Sequence, residues 1–191
     1  MERMLDGTAL GTSRVKAEPA VRGGDRAVVE RARSGDRLAF DRLHRDYARM
    51  VHGLLLARVP HGDVEDLVQE VFLKAWQHLG SLREPLAFGG WLAMLARNHA
   101  LDHMRTRRET RELPAGLVAP DDDAARSFEA LEAIRGLPEA YRDTLMLRLV
   151  EGLSGPEIAD LTGMTAGSVR VNLHRGMKLL RERLTKGTDL E

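Results

Sequence analysis

The chain has 191 residues, no cysteine, 43% hydrophobic and 30% charged residues, and a formal net charge of zero. That make-up fits one medium or two small globular domains rather than a disordered or membrane chain. No apolar run approaches the roughly 20 residues that span a bilayer, and "MERMLDGTALGTSRVKAEPA" lacks the apolar core of a signal peptide. The missing cysteines exclude disulfides and zinc-thiolate sites and suit a reducing cytoplasm.

The zero net charge hides a segregation. Between Met164 and Lys186 six Lys/Arg face one acid, Glu182, and between Arg97 and Arg111 five Arg face Asp102 and Glu109. Acids gather instead at 63–70 and 121–123. Two basic patches on a neutral chain imply two polyanion contacts, with acidic surfaces left for another partner.

In chain order, residues 1–24 are rich in Gly and small side chains without a sustained period and are expected to form a disordered tail. A helical pattern starts near Asp25, breaks at Ser34-Gly35-Asp36, resumes, and ends at Pro60-His61-Gly62. The next helix is the clearest. Asp63 is the expected N-cap, Val64, Leu67, Val68, Val71, Phe72, Ala75, Trp76 and Leu79 keep the helical period, and Gly80 stops it. A loop with Pro85 and several glycines follows, then a helix expected from Trp91 to about Arg108.

"RELPAGLVAPDDDAARS" breaks all periodicity and reads as a flexible linker over residues 109–127. A second helical block follows from about Phe128 to Leu184. No segment alternates like a strand. The expected fold is all-α, two small helical domains on a flexible tether, residues 25–108 and 128–191, the second a helix-turn-helix.

That second domain carries the most explicit local chemistry. Ser154 and Glu157 have capping-box spacing, Pro156 suits a first turn, Gly163 a corner, and Thr165 a second cap. Val169, Leu173, Met177, Leu180 and Leu184 form a core-facing seam, which leaves Arg170, Asn172, His174, Arg175 and Lys178 off it. A short helix, a glycine corner and a basic second helix make a helix-turn-helix, whose second helix enters the major groove. A plain helical hairpin with a solvated basic face is the alternative.

The first domain offers two further faces. Opposite the apolar stripe of the 63–79 helix lie Asp66, Gln69, Glu70, Leu73 and Gln77. A leucine among polar residues is either a stray surface side chain or the apolar centre of a docking face with an acidic rim. On the following helix the stripe Trp91, Met94, Leu95 turns polar at Asn98, Asp102 and Arg105, with Arg107 and Arg108 beyond. A stripe that changes character in this way suits a helix leaving its core to meet a ligand, the alternative being internal pairing of Asp102 with Arg105. His99 and His103 have metal-pair spacing but no third ligand, so neither a metal nor any other cofactor is expected.

"DVEDLVQEVFLKAW", "FGGWLAMLARNHALDHMRTRR" and "LPEAYRDTLMLRLVEGLSGPEIADLTGMTAGSVRVNLHRG" together resemble the bacterial RNA polymerase sigma factors of the extracytoplasmic-function (ECF) group. The match covers about 25–108 and 128–185, in order. The resemblance implies that Asp66, Gln69, Glu70 and Leu73 dock on the clamp helices of the polymerase β′ subunit, with β as a further partner. It implies that Arg97, Asn98, Asp102, Arg105, Arg107 and Arg108 melt and read the minus-ten promoter element. The loop 81–88 would receive a flipped base, with Arg83 or Phe88 as a stacking surface. Thr165, Ser168, Arg170, Asn172, His174, Arg175 and Lys178 would contact the minus-thirty-five element.

Two departures bear on specificity: Arg170-Val171-Asn172 stands where relatives commonly carry a Lys-Ser-Arg-like triplet, and Gly176 where an alanine usually follows the His-Arg pair. The family also implies a sequestering anti-sigma protein, a cytoplasmic, nucleoid-associated location without membrane insertion, and no catalysis. Nothing resembles a nucleophile–base set, a phosphate loop or a metal cage. A self-sufficient helix-turn-helix regulator and a protein–protein adaptor are the other readings. DNA binding by the purified chain alone would favour the first, and the basic C-terminal face counts against the second.

Overall fold

The computed structural model describes residues 26–109 and 122–188, with side chains over 26–109 and 128–185. The tail 1–24 and most of the linker 109–127 lie outside the described residues. Among the described residues eight α-helices follow one another: α1 (Arg26–Arg33), α2 (Arg37–Leu56), α3 (Val64–His78), α4 (Phe88–Glu109), α5 (Asp122–Arg135), α6 (Glu139–Leu145), α7 (Gly155–Thr162) and α8 (Ala166–Thr188). Among the described residues there is no strand.

Helices α1–α4 make one bundle and α5–α8 the other. The break before α2 is set by Gly35 at φ 91° and by Asp36, whose carboxylate accepts from Ala39 N and from Arg31 Nε. The Ala39 amide, then Arg31, holds the Asp36 carboxyl below its ordinary range. In the first core Phe40 meets Trp76 edge-on at 4.9 Å, and Tyr47 meets Phe88 at 5.0 Å.

Several boundaries differ from the sequence-based expectation. Asp63 makes no capping hydrogen bond, because its carboxylate is taken by His103 and Arg107 of α4. Gly80 does not end α3 in a left-handed turn; α3 runs into a short 3-10 turn, Leu79–Ser81, that contains it. α2 stops at Leu56, before Pro60. α4 starts at Phe88 rather than Trp91. α5 starts at Asp122, inside the expected linker.

In the second bundle the capping box of α7 is complete: Glu157 N donates to Ser154 Oγ, and Ser154 N donates to Glu157 Oε2 at 2.7 Å. Those bonds keep the Glu157 carboxyl below its usual range. Gly163 turns the corner at φ 73°, a left-handed value that L side chains resist. Val169 and Leu180 of the expected seam are buried, with Leu173, Met177 and Leu184 packed on the core. Gly176 has a packing reason: a Cβ there would lie 3.1 Å from Leu145 and 3.2 Å from Tyr141 Cβ, so α8 runs tight against α6.

α6 continues into a π turn, Met146–Val150. Asp143, Thr144, Leu145, Met146 and Leu147 are buried without a break, because α6 and its π turn are covered by α8 on one side and by α2 on the other. The two bundles thus share one continuous core, an arrangement that the expected tether did not foresee.

Candidate polymerase and nucleic-acid interfaces

Asp66, Gln69, Glu70 and Leu73 are exposed along one side of α3, Leu73 at 58%. The amphipathic period produces this face, since Leu67, Val68, Val71 and Phe72 turn inward. Glu70 is not idle there. It accepts from His99 Nε2 at 2.6 Å, and the Lys74 ammonium donates to His99 Nδ1 at 2.8 Å. Both ring nitrogens of His99 are therefore used, and His103 is held by Asp63 at 2.8 Å. The spacing that suggested a metal pair serves two helix–helix contacts.

α4 carries its cations differently from the sequence-based expectation. Arg97 is half-buried and donates through Nε to Asp143 Oδ2 at 2.8 Å, with Glu139 at 3.5 Å. Arg107 is half-buried and donates to Asp63 Oδ2 at 2.8 Å. Arg105 and Asp102 lie 3.6 Å apart, both exposed, which is the internal pairing weighed above. Asn98 and Arg108 are exposed.

Phe88 requires a correction. As the first residue of α4 it is fully buried between Tyr47 and Trp91, so no base can stack on it in this fold. Arg83, on the exposed loop before it, remains available.

On the second bundle Thr165 Oγ1 caps α8 by accepting from Ser168 N at 3.1 Å. Arg170, His174, Arg175 and Lys178 are exposed and Asn172 is partly so. Among the described residues Arg170 and Arg175 have no ion-pair partner, and Lys178 only approaches Glu182 at 4.0 Å.

Sequence reasoning missed the contacts that join the bundles. Arg58, with only 5% of its side chain exposed, forks onto Asp143 at 2.7 and 3.0 Å and reaches Glu139 at 2.8 Å. Arg135 donates to the carbonyls of Leu56 and Val59 at 3.0 and 2.8 Å. His52 shares a hydrogen with Glu151 at 2.6 Å, which raises the imidazole above its ordinary value against the opposing effect of burial. The signal was present: Asp143 is a charge inside the apolar run "DTLML", and Gly89-Gly90 opens a helix where side chains would be expected.

The family profile "Sigma-70 region 2" matches residues 43–110, and "Sigma-70, region 4" matches residues 127–180. The chain is 34% identical over 165 residues to the RNA polymerase sigma factor CarQ of Myxococcus xanthus, covering 82% of this chain and 95% of CarQ. The chain belongs to the ECF RNA polymerase sigma factors. It is also 31% identical to the ECF sigma-E factor of Haemophilus influenzae, over 84% of this chain and 95% of that one. The structure of CnrH in complex with the cytosolic domain of CnrY resembles it at a TM-score of 0.58 and 26% identity, over 85% of this chain and 98% of that chain. As a sigma factor this protein binds core RNA polymerase and directs promoter-specific transcription initiation.

Proposed function

We propose the following division of labour within this sigma factor. Residues 25–108 act as the polymerase-docking and minus-ten domain, 109–127 as the linker, and 128–191 as the minus-thirty-five domain. Asp66, Gln69, Glu70 and Leu73 meet the β′ clamp helices. Asn98, Asp102, Arg105 and Arg108, joined by Arg97 and Arg107 once their internal partners release them, act on the minus-ten element, with Arg83 beside the flipped base. On α8, Asn172 reads a base edge and Arg175 a phosphate, flanked by Thr165, Ser168, Arg170, His174 and Lys178.

The observation that carries this reading is α8: a capped helix after a left-handed glycine corner, with exposed cations along the side opposite its buried seam. Amide side chains read base edges, whereas cations mainly position the protein on phosphate. An anti-sigma protein is the proposed sequestering partner, and the similar CnrH was solved bound to a segment of another protein. The protein works in the cytoplasm at the nucleoid and has no catalysis of its own. Among the described residues no helix is long and apolar enough to cross a membrane.

The test is run-off transcription from a cognate promoter with and without core polymerase. Transcripts only with both components support the assignment. Sequence-specific promoter binding by the chain alone, with no stimulation of polymerase, would favour a free-standing regulator.

A further inference from the structure

Arg58 projects from the turn after α2, and Arg97 lies in the middle of α4. Among the described residues, every carboxylate within ion-pair distance of either belongs to α6, namely Asp143 and Glu139. The first domain therefore carries two neighbouring guanidinium groups whose counter-charges come from the second. The Leu54 carbonyl accepts from Arg58 Nη1 at 3.0 Å, so part of that side chain's orientation is set within its own domain. Its grip on Asp143 is two-pronged, the planar fork that also takes two oxygens of a phosphate.

The closed arrangement is specific. A Cβ on Gly89 would lie 2.1 Å from the Leu161 carbonyl oxygen, and one on Gly53 would lie 2.8 Å from Glu151 Cγ. The end of α7 thus packs on the start of α4 more closely than any side chain allows. Yet elements centred near minus ten and minus thirty-five are about 25 base pairs apart, roughly 85 Å of duplex at about 3.4 Å per pair. A helix the length of α4 spans only roughly 33 Å. Reading both elements at once requires the bundles to part, and parting strips Arg58 and Arg97 of Asp143 and Glu139.

We propose that Arg58 and Arg97 form a binding site for a backbone phosphate of promoter DNA, filled by the Asp143 and Glu139 carboxylates in the closed chain and by DNA in the open one. The site rests on the reading of α4 as a DNA-facing helix and adds Arg58 to it. Asp143 is then an internal competitor of phosphate for the two guanidinium groups, and it is removed when the bundles part.

The test uses the full chain, whose lack of cysteine allows donor and acceptor dyes at Arg45→Cys and Arg181→Cys, both exposed positions. Energy transfer reports closure. Anisotropy of a short random-sequence single-stranded DNA across a salt series reports phosphate contacts, which are indifferent to sequence. Asp143→Asn should lower energy transfer, tighten DNA binding several-fold and steepen the salt slope by about 1 to 2. Adding Arg58→Gln should return about 1 of that slope.

Gly89→Ala, which forces α7 away without altering a charge, should repeat the gain; its nearest neighbours are the Leu161 carbonyl of α7 and, at 3.0 Å within its own domain, the Tyr47 ring edge. Asp160→Asn removes an equal charge from an exposed site on α7 and should change neither signal. Three results would overturn the proposal: unchanged energy transfer in both opening variants, opening with no change in affinity or slope, or a gain that survives Arg58→Gln. A chain that gives one of these and still transcribes with core polymerase keeps its promoter role and loses the phosphate site. Failure of transcription itself removes the reading beneath it.

Discussion

The two basic helices of this sigma factor, α4 and α8, bear similar side chains under opposite conditions. On α4, Arg97 is bound by Asp143 and Arg107 by Asp63, while Arg105 lies beside Asp102. On α8, Arg170, His174 and Arg175 are exposed, and no ion-pair partner for them occurs among the described residues. For Arg97 and Arg107 the difference comes from outside the helix: α6 and the residue before α3 bring acids to α4, whereas among the described residues no other element brings one to Arg170, His174 or Arg175. Charge counted along a sequence gives the number of cations but not how many are free to meet DNA.

The strongest way to break the comparison is to take both helices off the promoter together. Glu70→Lys with Leu73→Ala should abolish most transcription, because truncating the centre of an interface can cost roughly 2 kcal/mol or more and charge reversal adds repulsion. Co-purification with core polymerase is the measurement. Since Glu70 also accepts from His99, the double variant should lose about 1 kcal/mol of stability on thermal unfolding. Leu73→Ala alone should lose polymerase binding without that penalty. Wild-type co-purification by a folded double variant would make the α3 face an ordinary surface.

A sharper probe acts on α8 alone. Asn172→Ala should cost roughly 1–3 kcal/mol on the preferred upstream element and relax its sequence preference. Arg175→Ala should weaken all sequences alike and lower the salt slope by about 1. If wild type and Asn172→Ala bind every upstream sequence equally, the base-reading role is lost.

A milder perturbation separates the chain from its internal contacts. The composition around Pro114 and Pro120 predicts that trypsin cuts first at Arg111. The two halves should still co-elute in gel filtration, held by the Arg58 fork, and should separate more readily in Asp143→Asn. Halves of the wild-type chain that part at once would mean that the linker alone keeps the bundles together.

The smallest expected effect is a pH dependence of closure. The Glu151 carboxylate raises His52, and Glu65 lies 3.8 Å from its other nitrogen. A group whose folded value is raised stabilises fully below its unfolded value, about 6.5, and loses that contribution as pH climbs through the raised one. Energy transfer between the bundles should therefore fall slightly as pH rises through neutrality. His52→Gln should flatten the profile, and an equally sloped profile in that variant would assign the effect to another group.

Local signals in the sequence located most of the fold. The period of α3, the capping box at Ser154 and the glycine corner at Gly163 depend on residues a few positions apart, and all three are present. The errors arose where a distant residue captured a side chain. Asp63 had the right chemistry for a cap, but His103 and Arg107 took its carboxylate. Phe88 had the right chemistry for stacking, but Tyr47 took its ring. The faces proposed for polymerase and the upstream element were legible because amphipathic periodicity marks what a helix leaves outside. The joint between the bundles was not, since Arg58, Arg97 and Asp143 are far apart in the chain.

Arg135 gives that joint another meaning. The last carbonyls of a helix have no partner within it, and at the end of α2 two of those nearby, Leu56 and Val59, accept from a guanidinium that belongs to the other bundle. α2 borrows its terminus. When the bundles separate, water inherits those acceptors and the last turn of α2 is free to fray. Amide hydrogen exchange near residues 56–60 should accelerate on opening, while the middle of α2 stays protected. The first domain cut out on its own is accordingly a slightly looser object than the same residues within the closed chain.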